Sequence, residues 1–367
     1  MAKLIDEIQW GEPLLPVATD PAWEAEILSR GGRPNNVDLR MSPLPWLREF
    51  VFSARTYFYN VAEMPERLFP MVAMVVAQEN ACRYCYGINR SVLKISGYSE
   101  AFIDAIERDV RVAELDDKES AVLAFSRRLA RSRPRPLRAE AEHLIGLGYS
   151  PLAVAEIVSC VASSSFYNRV ITMTACPPQE DLEQASRSPL DVLKQIGAAF
   201  RQGIAARRQI TRQIPSLPAV ALMGGPFGTA LASLGGLPAA AGMKAAVDGA
   251  MASSVLSAAA KGLIVAVVAR ALGCTYSEGE ARRLLYQEGL DDTAIDSALA
   301  TLKSDHLQGA HSELLSWARN TVKYDTPVMQ QETHALAAQL GQPAVLEAIG
   351  TSALANALVR LAMLLEH

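Results

Sequence analysis

Cys82-Arg83-Tyr84-Cys85 sets two thiols three positions apart. At the start of a helix, such a pair can close a disulfide within one turn and reopen it. A helix N-terminus and a neighbouring cation both favour thiolate, the species that attacks peroxides and disulfides. Arg83 is such a cation. A second thiol within reach then captures a sulfenic acid as a disulfide, before oxidation runs further. Glu79 is the nearest carboxylate in sequence, about one helical turn before Cys82. Buried, it is a candidate base, because burial raises a carboxylate's pKa. Exposed, it is only a solvated residue at a helix end. Tyr84 and Tyr86 either donate hydrogen bonds to a bound oxygen or fill the core.

The spacing alone leaves a zinc half-site and a thioredoxin-type pair to consider. Zinc needs two more ligands at comparable spacing. Cys160, Cys176 and Cys274 are scattered singly, and His143 is the only histidine before residue 190. His306 and His311, five apart, fall off a common helical face. No metal and no cofactor is therefore expected. Cys160 on an apolar run reads as a small hydrophobe, and Cys176 beside two prolines reads as exposed and without a visible partner. A thioredoxin-type pair expects βαβ context, and no convincing strand surrounds the motif. A helical redox pair remains.

The elements that must position these thiols occur twice. Shifted by 192 positions, Val75-Val76-Ala77 falls on Val267-Val268-Ala269, Cys82 on Cys274, Tyr84 on Tyr276, Leu93 on Leu285 and Gly97 on Gly289. Cys85 falls on Ser277. The offset holds over about thirty residues without a gap, the signature of a duplication. The second copy lacks the resolving thiol, so catalysis is expected in the first half.

The stretch Ala77-Gln78-Glu79-Asn80-Ala81-Cys82-Arg83-Tyr84-Cys85, with a helix after it, resembles the core of the carboxymuconolactone decarboxylase and alkylhydroperoxidase D-like family. Asn168-Arg169 is similar to the Asn-Arg pair of its peroxidase-related branch. The resemblance covers about residues 40–175, with a weaker echo over about 230–365. It implies an all-α chain of two tandem related helical-bundle domains, the first using Cys82 and Cys85 for peroxidase or disulfide-reductase chemistry. It also implies a proton relay through a His and a Glu. Asn89 stands in place of that His and Pro70 in place of that Glu, with Ala281 and Gly262 in the second copy. An Asn cannot take up and release a proton near neutral pH, so the usual relay is absent or rebuilt. Two rivals follow: a lactone decarboxylase in the same fold, and a non-catalytic assembly protein whose pocket has decayed.

Length and composition agree with two domains. The expected division is an N-terminal extension over 1–40, the redox domain over 41–188, a linker helix over 189–213 and the degenerate copy over 214–367. A net charge of −4 gives no basic footprint for nucleic acid. Five cysteines with one local pair do not form a secreted disulfide framework. Met1-Ala2-Lys3-Leu4-Ile5-Asp6-Glu7 lacks a leader pattern, so a cytoplasmic enzyme is expected. Residues 213–243 carry no charge but are broken by repeated Pro and Gly, which argues against a membrane span. The expected partners are a hydroperoxide or other small-molecule substrate and a thiol or protein reductant. The resemblance further implies a pseudo-dimeric chain with its halves packed together, open to assembly into a homo-oligomer.

Overall fold

Two apolar runs long enough to be buried on every side organise this chain, and each ends its half. In the computed structural model, residues 4–30, 32, 34–57, 61–110, 113–131, 138–178 and 216–365 are described. Among these residues about 70% are helical, in eighteen helices, and there are no strands. The first half runs α1 (Pro21–Ser29), α2 (Asn36–Arg40), α3 (Pro45–Tyr57), α4 (Leu68–Glu79), α5 (Arg83–Ile95), α6 (Glu100–Arg108), α7 (Asp117–Ala130), α8 (Arg138–Gly146) and α9 (Pro151–Met173). The second half begins with α10 (Ala219–Leu222), α11 (Gly228–Ala232), α12 (Ala239–Ala252), α13 (Ala258–Leu272) and α14 (Thr275–Gln287). It ends with α15 (Asp292–Thr301), α16 (Leu314–Asn320), α17 (Thr326–Leu340) and α18 (Gln342–Ala362). The linker helix expected over 189–213 lies outside the described residues.

The long helices α9 and α18 pack against each other at the centre. α9 opens with Ser150, whose hydroxyl accepts from the Ala153 N–H, and Pro151 follows where its missing N–H costs nothing. α18 is long and apolar enough to cross a membrane by length and composition, but 94% of its most apolar window is buried inside the protein. That makes it a core helix, compatible with a soluble chain. The apolar stretch before residue 243 is broken, as its Gly and Pro content predicts: Gly225 and Gly236 turn with φ of +85° and +90° between α10, α11 and α12. This stretch packs on the second half's own α14, through Phe227 N–H to Glu280 and Ala230 N–H to the Tyr276 hydroxyl. Contacts between the halves include α9 on α18, α17 on α9 and α3 on α12.

The helix pairs α4–α5 and α13–α14 repeat each other in detail at the 192-residue offset. Cys82 and Cys274 each hold the N-cap position, with φ, ψ of −89°, 94° and −96°, 101°. Each donates its N–H back to the preceding helix, to Ala77 O and Ala269 O, both at 3.0 Å. Arg90 on α5 reaches Glu100, Asp104 and Glu107, and Arg282 on α14 reaches Asp292 and Asp296. Near the starts of α9 and α18, Glu156 and Glu347 are both buried and accept backbone N–H groups from the segment leading into α4 and α13. These bonds satisfy backbone donors that burial would otherwise strand.

Candidate functional site

Helix α4 is apolar along nearly its whole length and buries ten of its residues, from Leu68 to Gln78. It stops at Asn80, and Ala81 takes a left-handed conformation with φ +43°. That reversal delivers Cys82 to the mouth of α5, and Cys85 one turn along it. Both thiols are free; Cys82 is fully buried and Cys85 is 6% exposed. The Cys85 thiol lies close to Cys82 and Cys176. Burial pushes the Cys85 thiol well above its ordinary range, and the bond to Cys82 and the nearness of Cys82 and Cys176 push the same way. The direction is opposite to the activation expected from Arg83, which does not offset these effects. Cys85 therefore keeps its proton at neutral pH.

The other residues read from the sequence sit close in the chain but turn to other tasks. The Glu79 carboxylate holds Arg131 with two bonds, at 2.6 and 3.3 Å. It is an ion-pair partner near the surface, not a buried base against the thiols. Asn89 donates its side-chain amide to the Cys85 carbonyl at 2.8 Å, a bond within its own helix turn. Tyr84 is buried in the core at the first turn of α5. The Tyr86 phenol is pushed up by burial and by Glu107 beside it, which marks it as part of the α5–α6 packing.

The features that complete the site come from distant parts of the chain. Cys176, expected to be exposed, is fully buried. It lies near Cys82 and Cys85, its thiol is pushed up to about 11 by burial, and Thr174 donates to its sulfur at 3.6 Å. The N-terminal segment closes over this end of α9: Trp10 donates its indole N–H to Cys176 O at 3.0 Å, and Leu14 N–H bonds Thr174 O at 2.9 Å. The short turn at Ile5–Glu7 rests on α5.

The second half contributes Tyr324 and Thr326, from the turn that starts α17. Thr326 donates to the Ala81 carbonyl at 3.0 Å, next to Cys82. The Tyr324 hydroxyl pairs with Thr172 on α9 at 2.9 Å. The Arg169 guanidinium lies 4.9 Å from the Tyr324 ring centre, a cation–π distance. Burial pushes the Tyr324 phenol well up, and Cys82 and Cys85 push it further, while Arg169 and the Thr172 bond pull it back.

Arg169 is fully buried, and burial lowers its pKa to about 10, so it stays charged at neutral pH. Its Nη1 reaches Ser165 O at 3.4 Å, and its Nε and Nη2 have no hydrogen-bond partner among the described residues. Arg360 takes the corresponding place on α18, and its Nη2 reaches Ala130 O at 2.6 Å. A charge in the middle of the apolar run of α9 is the one sequence signal that could have marked Arg169 without a resemblance. Nothing in the local sequence marks Tyr324.

Among the described residues no group of three or more His, Cys, Asp or Glu side chains is arranged to hold a metal ion. The arrangement sets a phenol near two thiols, with a buried cation stacked on the phenol ring that has no carboxylate partner among the described residues. No family model matches this chain, and no curated protein matches it.

Proposed function

We propose that the chain is a thiol-dependent peroxidase or thiol–disulfide oxidoreductase of the alkylhydroperoxidase D-like type, with Cys82 and Cys85 as its redox pair. The observation that carries this reading is the placement of two free, buried thiols one turn apart, at the N-cap and in the first turn of α5. Cys82, at the N-cap, is then the attacking sulfur. Cys85 is the resolving thiol. A Cys82 thiolate opens the peroxide, the sulfenic acid condenses with Cys85, and a thiol or protein reductant restores the pair. The second half is read as a degenerate copy of the first: Cys274 bonds Ser277 at 3.2 Å where Cys82 has Cys85. A serine there cannot close a disulfide.

The test is a thiol count before and after mild hydrogen peroxide, with mass spectrometry of the peptide that holds both cysteines. Loss of two thiols and two protons from that peptide supports the pair. Two alkylatable thiols after oxidation sink it. The full burial of Cys82 favours a second reading, a non-catalytic assembly protein whose thiols are core residues. That reading expects the same thiol count with and without peroxide.

A further inference from the structure

A thiolate that opens an O–O bond releases an oxygen that needs a proton, and neither relay position supplies one: Asn89 is bound to the Cys85 carbonyl and Pro70 carries no proton. We infer that Tyr324 is the acid for this step and that Arg169, stacked on its ring, balances the charge the step leaves behind. This rests on the dithiol reading above.

The geometry has three parts. Tyr324 is half-buried, with its hydroxyl enclosed against Thr172 at 2.9 Å, so the phenol has a defined direction. The turn that bears it is fixed beside the thiols by Thr326, which bonds the residue before Cys82 at 3.0 Å. Arg169 lies over the ring at 4.9 Å with two buried N–H groups unpartnered among the described residues. A buried cation without a carboxylate is costly, and a transient tyrosinate is the anion this one is placed to meet. The phenol also feels the charge state of both thiols.

The steps balance. The Cys82 thiolate attacks the outer oxygen of a hydroperoxide; the S–O bond forms and the O–O bond breaks. The leaving alkoxide takes the phenolic proton of Tyr324 and departs as alcohol. The tyrosinate, held by Arg169, accepts the proton of the Cys85 thiol. The Cys85 thiolate then attacks the sulfenic sulfur of Cys82; the S–S bond forms and the S–O bond breaks. The hydroxide released takes that proton back from Tyr324 and leaves as water, and the tyrosinate is reprotonated from solvent. Two sulfurs are oxidised and one peroxide bond is reduced; an external dithiol resets the pair.

The test compares two oxidants on the reduced full-length chain. tert-Butyl hydroperoxide releases a poor leaving group that needs a proton. The aromatic disulfide dithionitrobenzoate releases a thiolate that does not. Tyr324→Phe keeps the ring and its stacking on Arg169, and is expected to slow oxidation by the hydroperoxide about 100-fold or more, as for loss of a general acid. Its reaction with the aromatic disulfide should stay within about two-fold of wild type. Thr172→Val, which leaves the phenol but removes its guide, should show the same selectivity with a smaller loss. Equal slowing toward both oxidants would make Tyr324 a structural residue and overturn the inference. So would a hydroperoxide rate unchanged in Tyr324→Phe. A wild-type chain inert toward the hydroperoxide with its thiols reduced would overturn the dithiol reading itself, and this inference with it.

Discussion

Thr326 donates its hydroxyl to the carbonyl of Ala81 across 245 positions of sequence, and Ala81 is the residue before Cys82. The turn that presents the first thiol is thus held by the opposite half of the chain. Removing that bond with Thr326→Val leaves a carbonyl in a mostly buried place without its partner. The expected loss is about 1–3 kcal/mol of unfolding free energy, read from denaturant curves. Native-state alkylation of Cys82 should also speed up, because the turn gains freedom. Unchanged alkylation would mean that the latch does not control the thiol.

Ala81 itself carries strain. Its φ is +43°, a left-handed value that side chains with a Cβ adopt at a cost, and the matching residue in the second half, Gly273, sits at +69°. Ala81→Gly should therefore stabilise the chain by about 1 kcal/mol in the folded state, less the extra freedom that glycine gains when unfolded. A rise in melting temperature would show strain concentrated at the start of the dithiol helix. A fall would show that the turn is relaxed.

The two halves also meet around Trp46 on α3. Gly249 on α12 and Gly350 on α18 both face it, and a Cβ on Gly350 would stand 2.6 Å from Trp46 Cη2. Gly350→Ala is expected to destabilise by about 1–3 kcal/mol, the usual result of overpacking. Adding Trp46→Phe removes the offending ring, so the double variant should lose less than the two single losses summed. Strict additivity in a double-mutant cycle would remove Trp46 as the reason that glycine is needed there.

The helical class was readable because the determinants are local. Ser99, Asp116 and Ser150 cap their helices through bonds that span three residues, and Val122, Phe125 and Leu129 lie at helical spacing on one buried face of α7. The Cys82 turn and its echo at Cys274 were legible for the same reason, since cap and repeat both live within a few residues. The chemistry around the thiols was not. Glu79 and Asn89 are near Cys82 and Cys85 in sequence, yet Glu79 binds Arg131 and Asn89 binds backbone. Tyr324 and Thr326 reach the site only because α9, α17 and α18 pack together. Cys176 looked exposed beside two prolines, but the N-terminal segment folds back over it through Trp10. Long-range packing of this kind leaves no periodic trace in a single sequence.

That N-terminal cover gives a kinetic prediction. Residues 4–15 hold their place through Trp10 on Cys176, Leu14 on Thr174, Gly11 N–H on Gln330 and Glu12 O on His334. Deleting residues 1–15 should expose the Cys176 end of α9 and raise the rate at which Cys176 is alkylated under native conditions, with Cys160 unaffected. Equal acceleration at both cysteines would point to general loosening instead of an uncovered site.

Alkaline pH should destabilise the fold, and the sign follows from the buried thiols. In the folded chain burial raises Cys85 and Cys160 well above the ordinary thiol value, raises Cys176 to about 11, and raises the Tyr324 phenol as well. In the unfolded chain the thiols ionise near about 8.5 and the phenol near about 10. Between those values and the folded ones, the unfolded state binds fewer protons, so stability falls as pH rises. The contribution of these groups is fully present below about pH 8, where folded and unfolded chains hold the same protons. It is lost progressively from about pH 8.5 upward. Denaturant midpoints between pH 7 and 10.5 should therefore decline, and Cys85→Ala should flatten part of the decline because one raised thiol is gone. A midpoint independent of pH over that range would mean that the folded chain admits water to these thiols, and the proton held on Cys85 would no longer assign the thiolate to Cys82.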